Sequence, residues 1–216
     1  AGVRSIEATS FVHPRVVPQL ADADAVVARA PREPGVRYSA LLPNRRGAER
    51  AVAAGIDEIH LVVSASDSHN RANLNRTTAE SLEQLADAIA YVRHAAPQIS
   101  LVGTLATTFG CPFEGDVPLE RLIWAIERFQ ALGLHEVVLV DTTGMANPLQ
   151  MSRVLATLRE RFAGITWGLH LHNARGLGLA NAYAGLQAGV ARFDASLGGL
   201  GGGPVPAGAA RNIFSL

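Results

Sequence analysis

Three stretches of the chain repeat one plan: AAGIDEIHLVV at 53–63, ALGLHEVVLVD at 131–141 and QAGVARFDAS at 187–196. Each ends a helical pattern on small or apolar residues, places a glycine, adds an apolar residue and then runs into a β-rich segment. Glycine reaches the left-handed conformation that stops a helix without a Cβ penalty. A unit built this way is a helix feeding a strand, and its recurrence predicts a parallel sheet with helical crossovers. A doubly wound sheet would want a Gly-rich turn after its first strand, and none is there. The pattern therefore favours an α/β fold of the (β/α)8 TIM-barrel type. The opening AGVRSIEATS has the same punctuation with no helix before it, and RNIFSL ends where a last helix should begin. The expectation is a single TIM-barrel catalytic domain over 1–216. Its first βα unit is missing before Ala1, and it is incomplete at the C-terminus as well.

The remaining segments fit that reading. Strands are expected at 4–10, 37–42, 58–66, 99–107, 136–142, 166–172 and 192–198, which is seven where a closed barrel has eight. Helices are expected at 79–94, behind a capping box from Thr77 to Glu80, at 118–132 and at 148–162, each with an apolar face at helical spacing. After GLGLAN a further helix places Leu179, Ala182, Tyr183 and Leu186 on one face. The G-x-G there is a weak nucleotide signal.

Composition excludes several function classes. The 216 residues are 48% hydrophobic and 18% charged, as in a globular chain. Nineteen basic and nineteen acidic residues cancel, so neither nucleic acid nor a membrane surface is an expected partner. No apolar run is long enough to span a bilayer. Every basic residue is arginine, which removes a Schiff-base lysine from this chain's chemistry. The one cysteine, Cys111, can form no internal disulfide and reads as a structural thiol; a reducing, cytoplasmic setting fits.

In a barrel, chemistry collects at the C-terminal ends of the strands. Those ends carry Glu7, Thr9 and Ser10, then Asn44, then Ser64 and Ser66. They continue with Thr104, Thr107 and Thr108, then Asp141 and Thr142, then His170 and His172, and last Asp194 and Ser196. The His170–His172 pair is the sharpest signal. Residues i and i+2 of a strand share a face, and His-x-His presents two imidazoles to one divalent ion. A third ligand has to come from elsewhere, with Asn212, Asp141 and Glu7 as candidates. His13 and His69 read as loop or surface positions.

The motifs IEATSFVHPRVVPQLAD, LLPNRRGAERAVAAG, FGCPFEG, VDTTG, HLHN and GLGGGPVPAGAARN, in order along nearly the whole chain, resemble the 3-hydroxy-3-methylglutaryl-CoA lyase family of metal-dependent TIM-barrel lyases. The resemblance implies cleavage of 3-hydroxy-3-methylglutaryl-CoA to acetyl-CoA and acetoacetate. It also implies an acyl-CoA substrate, a divalent cation (Mg²⁺ or Mn²⁺, with Zn²⁺ as a further option), a homodimer and a place in leucine degradation. By position, His170, His172 and Asn212 match the metal ligands. Glu7 and Asp141 match active-site carboxylates, which with His170 form the catalytic set. Ser10, Asn44, Ser66, Thr142 and Gly203 fall on the substrate side.

Three departures accompany the resemblance. The family's first strand carries an Arg-Asp pair, and that strand is the unit inferred to precede Ala1. Gly203 stands where the family has a catalytic cysteine. Asn173, Ala174 and Arg175 follow the second histidine where the family often has Asp-Thr. The alternatives are a sister lyase or aldolase acting on another 3-hydroxyacyl-CoA, and a weakened homologue that only binds acyl-CoA. The glycine-rich segment GGLGGG suits either a plain strand-to-helix connector or a mobile lid over the substrate, and the resemblance implies the lid.

Overall fold

The computed structural model describes residues 2–15 and 17–201 and the backbone of 214–215. Seven strands lie in one sheet in sequence order: β1 (Ser5–Ser10), β2 (Arg37–Leu42), β3 (Glu58–Ser64), β4 (Ser100–Ala106), β5 (Glu136–Asp141), β6 (Thr166–Leu171) and β7 (Arg192–Asp194). The β1–β2, β2–β3, β5–β6 and β6–β7 pairings are parallel. A doubly wound sheet reverses its strand order at a switch point; this sheet never does, which is the order of a TIM barrel. The expected strands match to within about two residues, except that the last divides. Ser196–Leu197 forms a separate β8 and pairs in parallel with β9 (Phe214–Ser215).

Helices alternate with the strands. They are α1 (Ala23–Arg29), α2 (Arg45–Ala53), α3 (Asp67–Leu74), α4 (Thr78–Ala95), α5 (Leu119–Ala131), α6 (Pro148–Arg161) and α7 (Gly178–Gln187). The repeat glycines do what the sequence asks of them. Gly55, Gly133 and Gly189 follow α2, α5 and α7 at φ of +69°, +73° and +82°. Side-chain caps start three helices: Asn44 accepts from the Gly47 N–H, Ser66 from His69 and Asn147 from Gln150.

By contacts the chain forms two compact units, 1–62 with 79–103 and 63–78 with 104–216. In the first, Ala40, Leu42, Ala48, Ile59, Leu61 and Leu85 are fully buried. In the second, Leu105, Phe129, Val137, Leu139, Leu155 and Leu169 are. No helix among the described residues is long and apolar enough to cross a membrane.

One helix departs from simple amphipathic expectation. The face of α7 carrying Leu179, Tyr183 and Leu186 is exposed, at 59%, 65% and 56%. The buried face is Gly178, Asn181, Ala184 and Gly185. A Cβ on Gly185 would run into Leu169 of β6. Small residues let the helix lie close on the strand, and the large apolar ones then have to point away.

Candidate active site

The expected site residues fall in both units. In the first, Glu7 is exposed on β1 beside a bulge that shifts the β1–β2 register between Glu7 and Thr9. Ser10 Oγ donates to the Leu41 carbonyl at 3.2 Å. Asn44 is the α2 cap and lines a cavity of about 290 Å³ with Phe11, His13, Arg46 and Arg50. Arg46 is exposed, while Arg50 pairs with Asp24. His13 is therefore a cavity residue.

The second unit brings together Asp141, Thr142, His170 and His172. His170 and His172 lie at the end of β6, and their Nε2 atoms face each other at 3.2 Å. The Nδ1 partners decide the tautomers. His172 Nδ1 meets the Thr142 carbonyl, which can only accept, so Nδ1 carries the proton. His170 Nδ1 lies 3.2 Å from the Asp194 carboxylate, directly across from it in the β6–β7 register. A carboxylate is likewise an acceptor, so the proton again sits on Nδ1. Both Nε2 lone pairs then point into the same space. Two lone pairs at that separation repel unless a cation or a shared proton lies between them. Carbonyl and carboxylate partners on the far nitrogens are the usual supports of metal-binding imidazoles. The donor chemistry thus fits a divalent ion, with His170 and His172 as two ligands. The described residues contain no third His, Cys, Asp or Glu in ligating position. Asn212 and Gly203 lie outside the described residues.

Asp141 ends β5 with its carboxyl 1% exposed. It accepts from the Met145 N–H at 2.8 Å and from the Ala146 N–H at 3.2 Å. Burial pushes this carboxyl up to about 6, against the opposing pull of those amides and of the Arg175 charge. Its lone pairs are thus engaged with the following turn. Thr142 Oγ1 accepts from the Thr107 N–H at 2.7 Å, and Thr107 Oγ1 accepts from the Ser66 N–H at 3.1 Å. Thr107 sits at φ +55°, a left-handed position rare for a β-branched residue.

Ser66 is fully buried. Its Oγ lies 2.9 Å from Cys111 Sγ and also caps α3. Cys111 is free and buried, and the Phe113 and Glu114 N–H groups both approach its sulfur at 3.4 Å. His69 corrects its surface expectation. It is 3% exposed, with Nδ1 2.7 Å from Ser64 Oγ. A polar helix start offered no sign that its third residue turns inward.

The sequence marks Asp194 as a strand-end carboxylate and carries no sign of its partner. Its place opposite His170 follows only from the β6–β7 register.

The HMGL-like family model matches residues 1–211. A hydroxymethylglutaryl-CoA lyase of Bacillus subtilis is 45% identical over 98% of this chain and 70% of its own length. An (R)-citramalyl-CoA lyase of Chloroflexus aurantiacus is 43% identical over 100% of this chain and 70% of its own. A solved HMG-CoA lyase from Acinetobacter baumannii, in complex with coenzyme A and 3-methylmalate, superposes with a TM-score of 0.92. It is 42% identical over 98% of this chain and 68% of the other. The chain belongs to the HMGL-like family and is a hydroxymethylglutaryl-CoA lyase-like enzyme.

Proposed function

We propose that the protein cleaves a 3-hydroxyacyl-CoA bearing a tertiary hydroxyl, with 3-hydroxy-3-methylglutaryl-CoA as substrate and acetyl-CoA and acetoacetate as products. The observation that carries this reading is the approach of His170 Nε2 and His172 Nε2 to 3.2 Å at the end of β6, with both Nδ1 atoms held by acceptors. His170, His172 and Asn212 hold a divalent cation, Mg²⁺ or Mn²⁺. When bound, such an ion supplies Lewis-acid polarisation of substrate oxygens and lowers the pKa of a hydroxyl.

The chain's own residues supply the rest. Glu7 takes the proton of the tertiary hydroxyl as general base. The C2–C3 bond then breaks. Its electron pair passes to the thioester as an enolate, and the hydroxyl carbon becomes the ketone of acetoacetate. A proton delivered to C2 completes acetyl-CoA. Asp141, engaged with its turn, serves orientation rather than proton transfer. Ser10, Asn44 and Thr142 contact substrate. Ser66, buried beneath Thr107, supports that side from below. Arg46 on the wall of the α2 cavity offers a positive charge to the phosphates of coenzyme A. The protein works as a homodimer in the cytoplasm.

Gly203 has no side-chain proton to give, so the C2 proton comes from another donor. That position and the citramalyl-CoA lyase relative favour a second reading, in which the substrate is citramalyl-CoA. This thioester carries the same tertiary hydroxyl with one methylene fewer on its acid arm, and its cleavage would yield pyruvate. The test incubates the protein and Gly203→Cys with Mn²⁺ and each thioester and follows acetyl-CoA release. Acetoacetate formation by the unaltered protein supports the first reading. Pyruvate formation alone selects the second. Mn²⁺ binding without turnover of either thioester reduces the protein to an acyl-CoA binder.

A further inference from the structure

His172 is oriented by a turn, and the turn is held by a helix. The Thr142 carbonyl fixes the Nδ1–H of His172. Thr142 opens the turn that runs to Ala146, whose amides at 145 and 146 are gathered by the Asp141 carboxylate. Gly144, at the apex, is at φ +67°. A Cβ there would stand 3.0 Å from the Ala174 nitrogen and 3.2 Å from the His172 carbonyl. The turn is therefore packed directly on the backbone that leaves His172. A shift of the turn has to shift this histidine through both its ring and its main chain.

The far side of the turn is tied to α7. The Ala146 carbonyl accepts from Asn181 Nδ2 at 3.0 Å. Asn181 is 1% exposed on a buried helix face otherwise made of Gly178, Ala184 and Gly185. Its Oδ1 has no hydrogen-bond partner among the described residues. Burying an amide that is only half satisfied is unfavourable, and an apolar side chain of similar volume would serve packing better. What the amide contributes is a fixed position for Ala146.

We propose that Asn181 is a positioning residue, which through the turn from Asp141 to Ala146 holds His172 Nε2 toward His170. This inference rests on the reading of the histidine pair as a cation site. The test compares the protein with Asn181→Leu, which keeps the branched shape and the number of heavy atoms and lacks the donor. A second variant, Gly144→Ala, disturbs the same turn without touching α7. Three quantities are read: Mn²⁺ affinity by calorimetry, the ¹⁵N shifts of the histidine rings, and kcat and KM on the acyl-CoA substrate. The expected result for both variants is a Mn²⁺ Kd raised roughly tenfold or more. The His172 ring should lose its pure Nδ1–H signature, and kcat should fall more than KM rises.

A lowered Tm with unchanged Mn²⁺ affinity and unchanged ring shifts would make Asn181 a packing residue and overturn the proposal. If Asn181→Leu does not fold, Asn181→Ala, which removes the same donor, decides by the same readouts, and Gly144→Ala tests the turn alone. Should the unaltered protein bind no Mn²⁺, the cation reading fails. The ring shifts, which need no metal, still decide whether Asn181 sets His172.

Discussion

Two strands carry a titratable pair at i and i+2, and they treat it in opposite ways. At the start of β3, Glu58 and His60 are both buried. His60 Nε2 lies 3.1 Å from one Glu58 oxygen, and Arg37 donates to the other at 2.8 Å. A carboxylate with a guanidinium on one oxygen and an imidazole on the other is well matched in charge and hydrogen bonding. At the end of β6, acceptors hold the Nδ1 atoms of His170 and His172, and the two Nε2 atoms meet at 3.2 Å. The difference follows the polarity of the barrel. The N-terminal ends of its strands carry stability and the C-terminal ends carry chemistry. The same spacing on the same kind of strand thus yields a hydrogen-bonded carboxylate–imidazole pair at one end and a candidate ligand pair at the other.

The comparison breaks most sharply at the histidines. His172→Ala should lower kcat/KM by a thousandfold or more, roughly 4 kcal/mol of transition-state stabilisation, with no detectable Mn²⁺ binding in calorimetry. Retained turnover would show that the β6 pair is structural after all. At the other end, Glu58→Ala removes the carboxylate that His60 and half-exposed Arg37 share. It should lower unfolding stability by about 3 kcal/mol in urea titrations while Mn²⁺ affinity stays unchanged.

A smaller effect sharpens the contrast between the two buried carboxylates. Glu58 is faced by the Arg37 guanidinium and the His60 ring. Asp141 relies on backbone amides and is raised to about 6. A carboxyl raised in the folded state stabilises the protein below its unfolded pKa, near 4, and that contribution is lost as pH rises through 6. The metal-free protein should therefore lose about 2 kcal/mol between pH 4 and 6.5 on this account, and Asp141→Asn should flatten that slope. An unchanged slope in the variant would assign the pH dependence to another group.

Much of this was legible before any coordinates. The glycine punctuation marked the βα units because a helix stop is a local, steric event. The pair at 170 and 172 could be read because strand alternation is also local. Asp194 could not be tied to His170, since a contact across 24 residues depends on which strands pair and in what register. His69 and the α7 stripe were misjudged or ambiguous for a related reason. Hydropathy shows that a helix has an apolar side, but only packing decides which side is pressed to the sheet. The positive φ of Thr107 leaves no trace in composition at all. Ser66, which the family resemblance puts on the substrate side, is a buried helix cap in hydrogen-bond contact with Cys111, and neither the cap nor that contact is legible in the sequence.

The inverted packing of α7 bears on how the sequence can drift. On most helices the large apolar residues are the ones selection guards, and glycine and alanine drift freely. Here Leu179, Tyr183 and Leu186 face outward, whereas Gly185 lies where any side chain would strike Leu169, the neighbour of His170. A saturation scan of this helix should return a tolerance map that runs against hydropathy, forgiving at its leucines and strict at its smallest residue.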